Sequence, residues 1–194
     1  MYGIMRLITK KIQNDFIDKI ITKPVINENG DRIFGNSKTC LALGIFFTLL
    51  FSLCTIMMNN FVTEFIEEEN VGVQLVWKIY VCGYGTAILF TLIGLKLLSI
   101  YFFHRIIISK DTITSKKLLS TRTIQINAIE KVTYSELMGY TFKSRDTKVS
   151  TGLFTTGLVW LTDFIVENMP KHISEKALKI PKTILRANNI RSYY

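Results

Sequence analysis

The segment TCLALGIFFTLLFSLCTIMM, residues 39–58, decides the fold because it is 20 residues long and carries no charged side chain. An α-helix rises about 1.5 Å per residue, so a helix of this length crosses the roughly 30 Å hydrocarbon layer of a bilayer. A second run, IYVCGYGTAILFTLIGL at residues 79–95, is also uncharged. Lys78 and Lys96 flank it, where their flexible stems can reach opposite interfaces. The two runs predict a transmembrane helical hairpin with spans at about residues 39–60 and 76–101.

The charges around the two runs predict their orientation. Residues 1–38 contain seven Lys and Arg and residues 96–194 contain sixteen, whereas the connector 59–78 contains one, Lys78, beside four glutamates. Cytoplasmic segments of membrane proteins carry the excess of basic residues. We therefore expect a multi-pass protein of the cell membrane with both termini in the cytoplasm.

Small residues recur at every fourth position in both runs: Cys40, Gly44, Thr48 and Ser52 in the first, and Gly83, Ala87 and Thr91 in the second. Such stripes allow helix backbones to approach closely. We expect the stripes to pack the two helices of one chain against each other. Dimerisation through the same stripes is the alternative.

Beyond residue 102 the sequence alternates between apolar and polar residues and is rich in β-branched residues, as in YFFHRIIIS, TITSKKLL, TIQI, KVTYSE, GYTFKS and TKVST. Turn signals separate several of these segments at Lys110-Asp111, Ser120-Thr121 and Arg145-Asp146. The pattern predicts an antiparallel meander of about six strands. An amphipathic helix follows, beginning after Gly157 and ending at Pro170.

The two ends of the chain are less regular. Residues 1–22 have the apolar spacing of an amphipathic helix, which either lies on the membrane surface or packs on the predicted strand domain. Residues 27–36 read as a turn-rich link. Residues 171–194 form a basic tail, predicted to be partly helical with a break at Pro181, that either binds the membrane or is merely soluble.

Three features resemble a known family, the bacterial pleckstrin-homology-like (PH-like) domains that follow a pair of transmembrane helices in small membrane proteins. They are SKDTI at residues 109–113, TIQINAIEKV at 123–132, and the closing helix after Gly157. The resemblance covers about residues 97–173 and the preceding helical pair. It implies an α+β membrane protein in which a helical hairpin precedes a PH-like antiparallel sheet, or partial barrel, capped by a C-terminal helix. We expect four segments along the chain: an N-terminal segment and linker at 1–38, the hairpin at 39–102, the PH-like domain at 103–170 and the tail at 171–194.

PH-like domains are binding modules, and the eukaryotic members that bind phosphoinositides resemble one another in a long basic loop between their first two strands. The corresponding turn here is the short Lys110-Asp111, so we expect no specific inositol-phosphate site. Seven basic residues are candidates for contacts with anionic lipid headgroups: Lys116, Lys117, Arg122, Lys176, Lys179, Lys182 and Arg186. Ordinary solvated side chains are the alternative interpretation.

No pattern in the sequence indicates catalysis. There is no Gly-x-Ser-x-Gly, Walker-type loop, His-Glu-x-x-His or dinucleotide fingerprint, and the three cysteines lie in or beside the apolar runs. We expect no metal, no cofactor and no nucleic acid, and we expect the protein not to be an enzyme. The expected function is that of a membrane-anchored PH-like module that binds or positions an unidentified membrane or cytoplasmic protein, or an anionic membrane surface. The alternative is an accessory subunit of a membrane transporter or envelope complex.

Overall fold

A computed structural model of the chain describes residues 17–69 and 73–187 of the 194. The architecture is α+β, with long apolar helices and antiparallel sheets. The chain divides into two compact units. One is the helical pair, residues 39–102, and the other, which we call the β unit, comprises the described residues of 17–38 and 103–187.

The helical pair consists of α1 (Lys38–Glu69) and α2 (Val73–Phe103). The segments Lys38–Met58 and Tyr80–Phe103 are long and apolar enough to cross a membrane. Most of their large apolar side chains are exposed, including those of Leu49 and Ile88. Apolar surfaces of this extent are rare on soluble monomers, and they suit a lipid environment.

The two helices pack where small residues meet. A Cβ atom added to Gly94 would collide with Oγ1 of Thr48 and lie 3.0 Å from the carbonyl oxygen of Gly44. The Cys40 thiol donates to the carbonyl oxygen of Leu97 at 3.3 Å. The predicted stripe of α1 therefore lies in the contact between the helices of one chain. On α2 the contact includes Gly94, which lies outside the second predicted stripe, and Gly83, which belongs to that stripe and faces Met58.

The β unit contains two antiparallel sheets and two further helices. The first sheet has five strands in chain order: β1 (Val25–Ile26), β2 (Arg32–Phe34), β3 (Arg105–Ile108), β4 (Thr112–Lys116) and β5 (Thr121–Gln125). The second has three: β6 (Lys131–Ser135), β7 (Gly139–Lys143) and β8 (Lys148–Ser150). The helices are α3 (Leu158–Asn168) and α4 (Lys171–Ala187).

Residues 27–36, predicted as a turn-rich link, begin with a turn in which the Gly30 amide donates to the carbonyl oxygen of Asn27 at 3.0 Å. Strand β2 follows within the same segment, so the prediction was wrong for residues 32–34. Strand β2 pairs with β3, with Phe34 opposite Ile106 and Arg32 opposite Ile108. The helical pair is thus inserted in the chain between two neighbouring strands of one sheet. A strand of three residues, whose partner follows only after the whole helical pair, leaves almost no local pattern to recognise.

The core of the β unit is formed by side chains from both sheets and from α3 and α4. Strands β3, β4 and β7 alternate buried and partly exposed residues, as strands with one face on a core do. Phe34, Ile106, Phe142 and Ile165 are among the buried members of this cluster. Inside it, the hydroxyl groups of Tyr140 and Thr162 hydrogen-bond each other at 2.8 Å.

The two terminal segments are helical where they are described. Residues 17–21 form a helix whose Ile20 is buried, and the amide of Gly157 donates to the carbonyl oxygen of Lys19 at 2.8 Å. For these residues the alternative of packing on the domain is confirmed, while residues 1–16 of the predicted helix lie outside the described part of the chain. The predicted break at Pro181 was wrong. Helix α4 continues through this proline, which is buried, so tertiary packing compensates for the hydrogen bond that proline cannot donate.

Candidate functional site

The chain enters and leaves the helical pair from one end of the β unit, which we call the connected end. Strand β2 runs to Phe34 and β3 begins at Arg105, so residues 35–37 and His104 emerge together. The Asn36 side chain donates to the carbonyl oxygen of His104 at 2.7 Å. The end that carries the turns after β3 and β7 is the opposite end.

The first turn at the connected end joins β4 to β5 and comprises residues 117–120. Lys116, the last residue of β4, is opposite Arg105 in the sheet, which places this turn beside the start of β3. The amide of Lys117 donates to the carbonyl oxygen of Ser120 at 2.8 Å and closes the turn. At its apex Leu118 is 53 % exposed and Leu119 is 94 % exposed. Two leucines therefore stand at the tip of a tight hairpin.

The second turn at the connected end joins β6 to β7 and comprises residues 136–138. The amide of Gly152 donates to the carbonyl oxygen of Met138 at 2.9 Å, and a Cβ atom on Gly152 would lie 3.2 Å from the His104 ring. This places the second turn at the same end as His104. Leu137 is 77 % exposed and Met138 is 57 % exposed. Both turns at this end thus present two adjacent apolar side chains.

The turns at the opposite end have a different composition. The turn from β3 to β4 contains Ser109, Lys110 and Asp111, and the turn from β7 to β8 spans residues 144–147, with the sequence SRDT. Arg145 pairs with Glu130 at 3.2 Å, and both side chains are exposed. Charged and polar turns of this kind are typical of surfaces in water. The apolar turns are therefore confined to the connected end among these four turns.

Basic residues flank the two leucines of the first apolar turn. Lys116, Lys117 and Arg122 are exposed, and none of them forms an ion pair within the part of the chain that the structure describes. Hydrogen-bonded pairing of β4 with β5 sets Arg122 opposite Ser115, one residue from Lys116. Three of the predicted lipid-contacting residues therefore lie in the turn of this hairpin or within two residues of it.

The other predicted residues lie elsewhere. Lys176 and Lys179 are exposed on α4. That helix begins just after Pro170, which lines a cavity together with Lys110 and Asp111 of the opposite end. The helix then runs to Ile184, which lines a cavity with Glu136 and Gly139 of the connected end. Lys176 and Lys179 therefore lie on a different element from the hairpin. Lys182 and Arg186 belong to α4, and their side chains lie outside what the structure describes.

The apolar members of this surface, Leu118, Leu119, Leu137 and Met138, were not predicted from the sequence. A signal was present, because KKLLS and SELMG place paired apolar residues where a turn should be polar. The segment TITSKKLL predicts a strand that includes the two leucines of the first pair, whereas β4 ends at Lys116. Only the strand boundaries show that they occupy a turn.

His104 is the buried titratable residue of the connected end. Its Nε2 lies 3.2 Å from Oγ of Ser115, and 6 % of the residue is exposed. Burial, followed by the positive charges of Lys117 and Arg105, lowers its pKa from 6.5 to about 4. The imidazole is therefore neutral at pH 7 and joins β4 to the start of β3 through a hydrogen bond.

The depressed pKa of His104 predicts that acid destabilises the β unit. Between about pH 6.5 and pH 4 the unfolded chain binds a proton at this imidazole and the folded chain does not, so stability falls as the pH falls through this window. The expected loss is about 2 kcal/mol after allowance for solvent screening. It is measured as thermal unfolding of the full chain across that pH range. In His104→Asn this part of the pH dependence should be absent, and an unchanged pH profile would contradict the assignment.

A cavity of about 360 Å³ lies behind the second turn, between residues 17–21 and strands β6 and β7. Lys19 and Glu136 contribute charge to its wall, which is otherwise largely apolar or aromatic. The Lys19 ammonium donates to the carbonyl oxygen of Leu153, and burial lowers its pKa. This contact links the loop after β8 to the helical residues 17–21 and therefore stabilises the connected end.

Within residues 17–69 and 73–187, no group of three or more His, Cys, Asp or Glu side chains is placed to hold a metal ion. The arrangement at the connected end has the chemistry of a binding surface, with exposed cations beside exposed apolar side chains. Comparison of the chain with protein-family models, curated proteins and solved structures finds no match.

Proposed function

We propose that this protein is a non-enzymatic, membrane-anchored, PH-like module whose β unit binds an anionic membrane surface on the cytoplasmic side. The observation that carries the proposal is the cluster of Lys116, Lys117 and Arg122 at the connected end, the end from which the chain passes to the two apolar helices. Phosphate-bearing headgroups and exposed cations are complementary in charge. The anchor keeps the surface close to lipid.

The fold and the charge distribution support the same proposal. Antiparallel strands followed by α3, which contributes to their core, are consistent with the PH-like arrangement expected from the sequence, although the strands form two sheets and α4 follows. The basic segments on either side of the helical pair favour the cytoplasmic leaflet, where anionic lipids are concentrated. Each Lys or Arg near such a surface contributes about 1 kcal/mol, so three orient a tethered domain without binding it irreversibly.

Trypsin provides a test, because it cleaves after the same three residues. In vesicles that contain phosphatidylglycerol, we expect cleavage of the full chain after Lys116, Lys117 and Arg122 to be about tenfold slower than in phosphatidylcholine vesicles. Lipid headgroups bound to these side chains block the protease. Raising the salt concentration to about 1 M shortens the Debye length to about 3 Å and should remove the protection.

Cleavage after Lys143 and Arg145, at the opposite end, is the internal control. These sites are exposed on the same molecule, and their cleavage rates should be nearly the same in the two kinds of vesicle. The ratio of the two sets of rates corrects for any effect of lipid or salt on trypsin itself. An equal ratio in the two vesicle types would refute binding of anionic lipid by the hairpin.

A further inference from the structure

We propose that the two apolar turns of the connected end insert side by side into the lipid headgroup layer, with Leu118 and Leu119 at one point and Leu137 and Met138 at the other. The partner of this surface is a bilayer. The inference rests on the proposed function and deepens it, because it adds an apolar contribution to the electrostatic one.

The exposure of the four side chains is the first support. Leu119 and Leu137 are the most exposed large apolar residues of the β unit among those described. Isolated exposed leucines are common on proteins, but adjacent pairs at the tips of two turns are not. Turns in water favour Gly, Asn, Asp, Ser and Pro instead.

The contrast between the two ends of the β unit is the second support. Strand β4 follows SKD at the opposite end and leads to LL at the connected end, and strand β7 follows LM at the connected end and leads to SRDT at the opposite end. A general tolerance for apolar turns would affect both ends alike. Among the four turns, the apolar pairs occur only at the connected end, where the chain passes to helices long and apolar enough to cross a membrane.

The position of the charges along the first hairpin fits a headgroup layer. Lys116 ends β4 and Arg122 lies at the start of β5, while Leu118 and Leu119 lie beyond them at the apex. When the leucines reach the boundary with the acyl chains, the cations of Lys116 and Arg122 lie farther from the bilayer centre, at the depth of the phosphates. Interfacial membrane-binding segments combine apolar and basic residues in this way.

The backbone of both turns is held in place before any lipid binds. In the second turn the carbonyl oxygen of Met138 accepts hydrogen bonds from the Gly152 amide at 2.9 Å and the Ser150 hydroxyl at 2.9 Å. Gly139, next to it, has φ of 63°, a conformation that glycine adopts without strain. Preformed turns pay little ordering entropy on binding, which favours insertion.

The test uses the full chain with Cys40, Cys54 and Cys82 replaced by alanine and one new cysteine carrying the environment-sensitive dye NBD. The variants are Leu119→Cys, Leu137→Cys and, as the matched control at the opposite end, Arg145→Cys. Each protein is reconstituted in vesicles of phosphatidylcholine and phosphatidylglycerol with and without doxyl-labelled lipid. We expect blue-shifted emission and strong doxyl quenching at positions 119 and 137, and water-like emission without quenching at position 145.

A substitution in the turn that carries no dye shows whether the dye itself drives insertion. With NBD at position 137, Leu118→Ser/Leu119→Ser should reduce doxyl quenching, because the two turns enter the bilayer together. Water-like emission at either tip would overturn the proposal, even if anionic lipid still protects the trypsin sites. Insertion that persists equally in pure phosphatidylcholine would support it while refuting the preference for anionic lipid, so the two proposals fail separately. Quenching that is equal at all three positions would also overturn it.

Discussion

Replacing Phe34 by alanine is expected to lower the free energy of unfolding of the β unit by about 3–5 kcal/mol. Phe34 is 1 % exposed and lies opposite Ile106 in the first sheet, where it belongs to the main apolar core. Alanine would leave a cavity that rigid neighbouring strands cannot fill. The measurement is denaturant unfolding of the full chain in lipid nanodiscs, with Trp77→Phe in every variant, followed by fluorescence of Trp160, which packs against this core.

The matched control for Phe34 is Ile26→Ala on the neighbouring strand β1. Ile26 is 67 % exposed, and a substitution there should change the free energy of unfolding by less than about 0.5 kcal/mol. Equal effects of the two changes would show that residues 32–34 are not part of the core. The comparison therefore tests directly whether one sheet is assembled from both sides of the helical pair.

Replacing Gly94 by leucine is expected to separate the two helices of the pair. A side chain there would collide with the backbone nitrogen of Thr48, 2.7 Å from the new Cβ atom, and with its hydroxyl. Overpacking of this kind costs about 1–3 kcal/mol, or roughly tenfold or more in the population of the packed pair. The collision involves backbone, so rotation of one side chain cannot relieve it.

Cross-linking reports this separation. The rings of Phe51 and Phe90 stack with their centroids 4.5 Å apart, so cysteines at these two positions should form a disulfide readily when the native cysteines are absent. In Gly94→Leu we expect the rate of cross-linking to fall about tenfold. Gly85→Leu is the control, because a Cβ atom there meets nothing within 4 Å. Equal rates in both variants would contradict the packing described for the pair.

The elements that sequence patterns predicted well are those with long or repeated local signals. Uncharged runs around residues 39–58 and 79–95 correspond to α1 and α2, and alternation after residue 102 corresponds to strands β3 to β8. Helix α3 begins after Gly157 as expected. In each case the signal lies within the element itself, so no distant partner is needed to recognise it.

The elements that were mispredicted depend on distant partners. Strand β2 has only three residues and owes its conformation to hydrogen bonds with β3, on the far side of the helical pair in sequence. Helix α4 continues through Pro181 although proline ordinarily breaks a helix, because the buried face of α4 is packed on the β unit. In both places the free energy gained by tertiary packing outweighs the local conformational preference of the residues.

The candidate surface was likewise only partly predictable from the sequence. The basic residues Lys116, Lys117 and Arg122 were visible in the sequence because charge is a property of each residue alone. The apolar turns and their location at one end were not, because that statement requires the strand boundaries, the β3–β4 register and the contact between Gly152 and Met138.

By itself, the sequence determined the presence of two apolar helices, the α+β class and the basic character of the chain, since hydropathy, alternation and charge are summed residue by residue. Only the tertiary structure decided that residues before and after the helical pair share one sheet and one core. It also decided that four exposed apolar side chains lie at the same end of the β unit as the cations of one hairpin. Strand pairing and burial are relations between distant residues, and they arise only when the whole chain is folded.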